Sequence, residues 1–167
     1  MKYNINQKIQ IEPKFLDKNF KFHLFDKLKK TMIGKCTLDY GYIIKINKII
    51  KIGDNYISPV DSLVIFDVIY EAEVLKPEIN QELLGKVCMV FKHGIFVDIC
   101  GIMKVLIPVS SMKSYTFNKS SFNHNNGVEI SVGTLVKIII VMIKYEKKNF
   151  NCIGKLVNVL ESKLETE

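Results

Sequence analysis

Arginine and tryptophan are absent from this chain of 167 residues, and alanine occurs only once, at Ala72. All 24 basic side chains are therefore lysines, and the forked N–H donors with which arginine holds a phosphate or a guanine are missing. With 17 acidic residues the formal net charge is +7, which favours a polyanion or an acidic protein surface as the partner. Any contact with nucleic acid should be diffuse and salt-sensitive, without sequence-specific reading.

The four cysteines are widely spaced, and none lies in a Cys-x-x-Cys or Cys/His zinc motif. We therefore expect reduced thiols and no metal site. The N-terminus lacks the apolar core of a signal peptide, and no uncharged stretch approaches the roughly 18 residues of a membrane helix. The sequence predicts a soluble, intracellular chain.

Residues that could support catalysis are equally sparse. The three histidines have no nucleophile motif beside them, no carboxylates are paired at a shared turn, and no glycine loop could cradle a phosphate. We expect no catalytic residue and no cofactor.

Residues 83–112 form an apolar stretch that Gly94 and Gly101 divide into three segments of strand length. In the second segment aliphatic residues alternate with polar or aromatic ones, so one face should be buried while the other carries Phe96. A sheet face that presents an aromatic ring beside lysines such as Lys104 can hold single-stranded nucleic acid, because rings stack on bases and lysines attract phosphates.

At these positions the sequence resembles the RNA-binding OB fold of the ribosomal protein S-one type. That pattern runs from a glycine through aliphatic positions and a glycine turn to Phe-Val-Asp-aliphatic and a second glycine. The residues that fit it in order are Gly85, Val87, Val90, Gly94, Phe96, Val97, Asp98, Ile99 and Gly101. The resemblance implies a five-stranded OB barrel, whose last two strands are predicted over 134–145 and 149–156.

The first half of the chain predicts an antiparallel sheet with one helix. Alternation over 3–11 indicates a strand. An amphipathic helix is predicted over 13–30, before Gly34, because one apolar face recurs every four residues at Leu16, Phe20, Leu24 and Leu28. Further strands are expected over 36–46, 49–52 and 63–75, with a turn at Gly53 and Asp54. The extended segment 55–59 either docks into a partner or packs as a hairpin on its own sheet.

The polar segment 113–132 shows no periodicity, so we expect a loop of roughly twenty residues. Its Tyr115, Phe117 and Phe122 are expected to contact a partner, RNA or the fold beneath them. The overall fold class is α+β, mainly β, with a boundary near 77–82. The predicted domains are an N-terminal tip domain over 1–78, an OB domain over 79–160 and a tail over 161–167.

Together the two halves resemble one family, the stalk subunits of multisubunit DNA-dependent RNA polymerases. That family includes the seventh subunit of eukaryotic RNA polymerase II and its archaeal counterpart. Besides the OB residues, the matching positions are 34–37, 40–44, Gly53, Ile57, Pro59, 74–77, 103–105, Met112, 116–118 and 153–154. The abundance of Lys, Ile and Asn indicates an AT-rich genome, such as that of a large DNA virus or a protist.

The resemblance implies that the tip domain docks on the polymerase core, near the clamp of the largest subunit and a small core subunit. The implied docking residues are Gly34, Lys35, Tyr40, Tyr42, Gly53, Asn55, Tyr56, Ile57 and Pro59. A helical, fourth-subunit-like stalk partner would pack along the junction of the two domains. The chain would then act in transcription initiation and elongation, in the nucleus if cellular and in the cytoplasm or virion if viral.

The resemblance also implies that the OB domain touches nascent single-stranded RNA at the exit path. The expected RNA-binding residues are Lys92, His93, Phe96, Lys104, Lys147 and Lys148. His93 stands where stronger S-one RNA binders have an aromatic residue, and Pro108 stands where they have a histidine. We therefore expect weak intrinsic RNA affinity, for which tethering beside the exit channel would compensate.

Two other functions are consistent with the same residues. A free-standing OB-fold RNA-binding protein of translation or RNA turnover would bind RNA tightly through 83–167. A structural adaptor whose OB face touches protein would make no RNA contact at Phe96.

Overall fold

The computed structural model describes residues 1–161 and divides the chain into two compact units. The first unit is Met1–Lys76, and the second begins at Pro77. Of the predicted tail, only the backbone of Glu161 lies within the described residues.

The first unit is a four-stranded antiparallel sheet whose buried face packs against one α-helix. Its elements are β1 (Lys2–Ile11), α1 (Phe20–Met32), β2 (Cys36–Thr37), β3 (Gly41–Ile57) and β4 (Val64–Leu75). The strands lie in the order β1-β4-β3-β2, so β4 is central and fully paired by its neighbours. The predicted antiparallel sheet with one helix is confirmed.

The helix begins later than the predicted range of 13–30. Pro13–Phe15 forms a short 3-10 helix instead, and the Asp17 carboxylate then accepts a hydrogen bond from a backbone N–H two residues further on, at 2.8 Å. Such a turn competes with helical hydrogen bonding and delays the helix. Leu16, expected on the buried face, is consequently 45% exposed. The buried residues of α1 are Leu24, Leu28 and Met32.

Strand β3 contradicts the prediction of two strands followed by a turn. It is a single strand of 17 residues, preceded by a tight turn that separates it from β2. Its register with β4 shifts four times, and each shift leaves one extra residue on β3. Gly53 and Asp54, predicted to form a turn, lie in the last of these bulges because the chain continues into Ile57 before reversing.

These bulges turn a three-residue sequence repeat into a strand with two distinct faces. From Ile43 to Lys51 the sequence repeats Ile-x-Lys, a period that fits neither a regular strand nor a helix. With one extra residue in every three, the first isoleucine of each triplet pairs with a buried residue of β4. The lysines of the first two triplets stand opposite Glu73 and Glu71 on the other face.

The core between helix and sheet contains one unsatisfied polar atom. Tyr70 of β4 is fully buried, and among the described residues its hydroxyl has no hydrogen-bond partner. Burial, with a smaller effect of Tyr40, raises the pKa of Tyr70 to about 12. The neutral hydroxyl is therefore the form that the folded core favours.

The second unit consists of a closed barrel with a small additional sheet. Its strands are β5 (Glu82–Phe91), β6 (Gly94–Ile99), β7 (Met103–Pro108), β8 (Tyr115–Asn118), β9 (Ser121–His124), β10 (Glu129–Ile130), β11 (Leu135–Glu146) and β12 (Asn149–Glu161). Five of them close in the order β11-β12-β7-β6-β5, with β12 and β7 parallel. The predicted five-stranded barrel is confirmed.

The segment 113–132 is not the structureless loop that its composition predicted. It holds strands β8 to β10, which form a three-stranded sheet in the order β10-β9-β8. Phe122 is fully buried, and its ring centroid lies 5.3 Å from that of Phe117. Strands of two to four residues are too short to show an alternation in the sequence, which is why periodicity missed them.

Candidate nucleic-acid and docking surfaces

A row of apolar side chains crosses the outside of the barrel, with one residue from each strand. Its members, each the register partner of the next, are Met89, Phe96, Leu106, Ile153 and Met142. Alternate neighbours in the same strands, such as Ile95 and Val105, are buried inside the barrel. The two methionines at the ends of the row are 51% and 58% exposed. We call these five residues the apolar row.

Polar side chains border part of this row and complete a shallow groove of about 340 Å³. Besides members of the apolar row, its lining includes Lys104, Lys144, Asn151 and Cys152. The Lys144 ammonium group lies 3.2 Å from the Glu146 carboxylate. An apolar floor with ammonium groups at its rim suits a stacked base and its flanking phosphates.

A second aromatic ring lies beside Phe96. The Phe91 ring centroid is 5.7 Å away and the two planes are inclined by 23°, which is a stacked arrangement. The β5–β6 hairpin produces it, because Phe91 pairs with Gly94 and is thus the diagonal neighbour of Phe96. The His93 ring meets Phe91 edge-on, at 6.2 Å and 67°. The three rings form one cluster at this end of the hairpin.

The structure brings only some of the predicted RNA-binding residues together. Phe96 and Lys104 line the groove, whereas Lys92 and His93 form the β5–β6 turn. The last two predicted residues, Lys147 and Lys148, form the two-residue β11–β12 turn. Lys147 follows Lys144, which lines the groove, by three residues, so roughly 10 Å of strand β11 separates the turn from the groove.

Sequence reasoning missed several residues of this surface. They are Phe91, Leu106, Met142 and Lys144. A hairpin register drawn around Gly94 would have found Phe91, since it places that ring diagonally across from Phe96. The other three depend on how β7, β11 and β12 align, which no local pattern reveals.

In the first unit, β2 and β3 are joined by a tight hairpin. The Tyr40 backbone N–H donates to the Thr37 hydroxyl at 3.2 Å. Gly41 has φ +76°, and a β-carbon there would meet the Leu75 backbone and lie 2.7 Å from the Lys76 α-carbon. Only glycine fits this position, so the hairpin is held close against the end of β4.

The predicted docking residues around this hairpin differ in their exposure to solvent. The Gly34 N–H donates to the Ile43 carbonyl at 2.8 Å, and Lys35 is exposed. Tyr40 is half-buried with its ring 5.5 Å from that of Tyr3, and Tyr42 is only 5% exposed. Tyr42 therefore supports the hairpin from inside, while Leu38 at its apex, which sequence reasoning missed, is 58% exposed.

The β3–β4 hairpin presents two highly exposed apolar residues, including the most exposed one of the first unit, Val60. Its loop is held by its own bonds, since the Ser58 N–H donates to the Leu63 carbonyl at 2.8 Å and the Asp61 carboxylate accepts the Leu63 N–H at 3.2 Å. A hydrogen bond from the Ser58 side chain contributes most to lowering the pKa of Asp61 below its usual range. Ile57 is 68% and Val60 92% exposed. An ordered loop thus displays two aliphatic side chains to solvent.

The other docking residues predicted in this region lie in the last part of β3 and in the loop that follows it. Gly53 is half-buried in the bulge, whereas Asn55 and Pro59 are exposed. Tyr56 is 49% exposed, and the Lys8 ammonium group lies 5.7 Å from its ring centroid. Sequence reasoning missed Val60, which follows Pro59 and carries no pattern of its own.

Residues 1–161 contain no group of three or more His, Cys, Asp or Glu side chains placed to hold a metal ion. Within the same range, no helix combines the length and apolarity needed to cross a membrane.

Comparison with known families assigns a domain to each unit. Residues 6–62 match the model described as "SHS2 domain found in N terminus of Rpb7p/Rpc25p/MJ0397". Residues 76–152 match the S1 RNA binding domain.

Curated relatives cover both domains together. DNA-directed RNA polymerase II subunit RPB7 of Glycine max is 25% identical over 158 residues, 91% of this chain and 89% of the relative. Subunit 7 of the Arabidopsis thaliana enzyme is 26% identical over 162 residues, with the same coverage. The Saccharomyces cerevisiae subunit RPB7 is 32% identical over 121 residues, 71% of this chain and 70% of the relative. The chain therefore belongs to the seventh-subunit family of DNA-directed RNA polymerases, the non-catalytic stalk subunits.

Proposed function

We propose that this chain is the stalk subunit of a DNA-dependent RNA polymerase, docked on the core through its first unit and touching nascent RNA with its barrel. The observation that carries the proposal is the alignment of relatives named as polymerase subunits across about nine-tenths of the chain. Both units are included, so the match is not that of an isolated S1 domain.

The docking half of the proposal is supported by the two hairpins of the first unit. Ile57 and Val60 are exposed on a loop whose backbone is already ordered, so binding would bury apolar area with little ordering cost. At the apex of the β2–β3 hairpin, Leu38 is likewise an exposed aliphatic side chain. Their partners would be the clamp region of the largest subunit and a small core subunit.

The RNA half of the proposal is supported by the stacked rings and the groove on the barrel. One base stacked on Phe96 contributes about 1–3 kcal/mol, and lysine contacts with phosphates add a salt-dependent term. Such a site is too small for tight binding by itself. It would act on a transcript that the polymerase already delivers at high local concentration.

A helical, fourth-subunit-like protein would complete the stalk. In a cellular enzyme the assembly would work in the nucleus, and in a large DNA virus it would work in the cytoplasm or virion. The assembly would act in transcription initiation and elongation.

Affinity purification of the tagged full chain from its own cells tests the proposal. We expect the two largest polymerase subunits to be recovered, and to be lost when Ile57→Asp and Val60→Asp are combined. Leu84→Asp is the matched control, because Leu84 is a 56% exposed aliphatic residue of the barrel. Recovery of RNA without large polymerase subunits would favour the free-standing RNA-binding protein instead.

A further inference from the structure

A groove of about 810 Å³ lies in the first unit between α1 and strand β3. Its lining comprises Phe20, Lys21 and Phe25 from the helix and residues 47–52 from the strand. It is separate from both hairpin tips described above, because neither Leu38 nor Val60 lines it.

Along this groove β3 is the edge of the sheet. Strand β2 pairs only with Gly41 and Tyr42, and from Ile44 onward no strand within residues 1–161 lies on the outer side of β3. The register shifts at Asn47 and Ile50 interrupt this edge. A bulged edge presents irregularly spaced N–H and C=O groups, which disfavours the addition of another β-strand. The groove therefore suits an occupant that brings its own backbone hydrogen bonds, namely a helix.

The floor of the groove is apolar and partly open to solvent. Ile50, the extra residue of the third bulge, is 47% exposed. Phe20 is anchored from below, with its ring centroid 4.9 Å from that of Phe66. Phe25 is half-buried beside the same floor. These three side chains line the same groove and provide an apolar surface that one face of a helix can cover.

The rim of the groove is basic. Lys21 and Lys51 line it, and the Lys29 ammonium group lies 4.8 Å from the centroid of the Phe25 ring. Lys48 also lines it, and its register partner on β4 is Glu71. None of the lining residues carries a carboxylate. The complementary surface is apolar in the middle and acidic at the sides.

We propose that this groove binds an acidic amphipathic α-helix of a partner protein, about three turns long. The length follows from the six strand residues that line the groove, which span roughly 20 Å at most. Isoleucine or leucine side chains of the helix would cover Ile50 and Phe25, while its glutamates and aspartates face the lysines. The inference goes beyond the proposed polymerase function and does not require the barrel to bind RNA.

A designed peptide provides the probe. It has 18 residues, with leucines on one helical face and glutamates on the other, and carries a fluorescein label. Anisotropy titration with the full chain should show saturable binding, with helix formation seen by circular dichroism. Ile50→Glu should weaken binding about tenfold or more, because it buries a charge beneath the peptide's leucines. Lys51→Glu should weaken it about threefold or more, and higher salt should weaken it further.

The matched controls are Met142→Glu and Lys144→Glu on the barrel, which should leave the affinity within about twofold. Thermal melting monitors folding of each variant, and Ile50→Ser is the second substitution if Ile50→Glu unfolds the unit. A scrambled peptide of equal composition that binds equally well, or binding unaffected at position 50, would overturn the proposal. So would displacement of the peptide by oligouridine in a manner abolished by Ile50→Ser, since the groove would then belong to RNA.

Discussion

The rings of Phe91 and Phe96 lie 5.7 Å apart with their planes inclined by 23°, on the outer face of the barrel. Phe91 therefore packs against one face of the Phe96 ring and restricts the movement of that ring. When an RNA base stacks on Phe96, the protein therefore loses little side-chain entropy. This pair is the expected centre of RNA contact.

Phe96→Ala should reduce the affinity of the full chain for a 12-residue oligouridine about 5- to 100-fold, because one stacking partner is removed. Phe91→Ala should have a smaller effect in the same direction. Anisotropy at low salt measures both. The control is Phe22→Ala, which removes a 70% exposed ring from the other unit and should change nothing. Equal affinities for all variants would show that this face of the barrel does not bind RNA.

Replacing Lys147 and Lys148 by Asn and Gly should stabilise the second unit and weaken its salt-dependent RNA contact. Both lysines have positive φ, 50° and 59°, a conformation that asparagine and glycine adopt far more readily. We expect a gain of about 1–2 kcal/mol in the free energy of unfolding. The slope of log affinity against log salt should fall by about 1.4, since each lysine that contacts a phosphate of single-stranded RNA contributes about 0.7. A stability gain without any change in that slope would show that these lysines do not contact RNA.

Two glycines of the tip provide a matched pair. Gly34→Ala should cost about 1 kcal/mol, because its φ of +86° is strained for alanine but its β-carbon would meet open space. Gly41→Ala should cost about 3 kcal/mol or more, because the same strain is joined by collision with the backbone of Leu75 and Lys76. Urea unfolding compares them. Similar losses for both would mean that the hairpin end moves freely away from β4.

Tyr70→Phe should stabilise the first unit by about 1 kcal/mol at pH 7, because it removes a buried hydroxyl that lacks a partner. The stability from the neutral hydroxyl is complete below its ordinary pKa of 10.0 and is lost as the pH rises through about 12. The advantage of phenylalanine should therefore grow by about 1 kcal/mol between pH 7 and 11. Tyr56→Phe controls for the loss of a phenol. A gap that stays constant with pH would contradict the burial of this hydroxyl.

The strands β6 and β7 of the barrel were predictable because their residues alternate and because glycines, Gly94 and Gly101, stand at the two adjoining turns. Ile95, Val97 and Ile99 are buried where the pattern placed them, and Phe96 lies outside. The apolar row was not predictable, since it exists only through the register of five strands. One of those alignments joins Leu106 to Ile153 across a parallel pair distant in sequence.

Strand β3 shows a different reason for failure. A bulge in every triplet gives its isoleucines a spacing of three, which resembles neither periodicity used to recognise structure. The predicted turn at Gly53 was wrong for that reason, although the exposure of Tyr56 and Ile57 beyond it was anticipated. In α1, the hydrogen bond accepted by Asp17 outweighed the apolar spacing that had included Leu16.

The triplets of β3 also make the length of this hairpin adjustable. Each Ile-x-Lys unit advances three residues along β3 while β4 advances two, as between Ile43–Val74 and Ile46–Ala72. Removing one unit from β3 and two residues from β4 would shorten the hairpin by roughly 6–7 Å and leave every remaining side chain on its original face. Removing a single paired residue would instead move the following side chains of β3 to the opposite face. The length of this hairpin can thus change in steps of one triplet while the core residues keep their places.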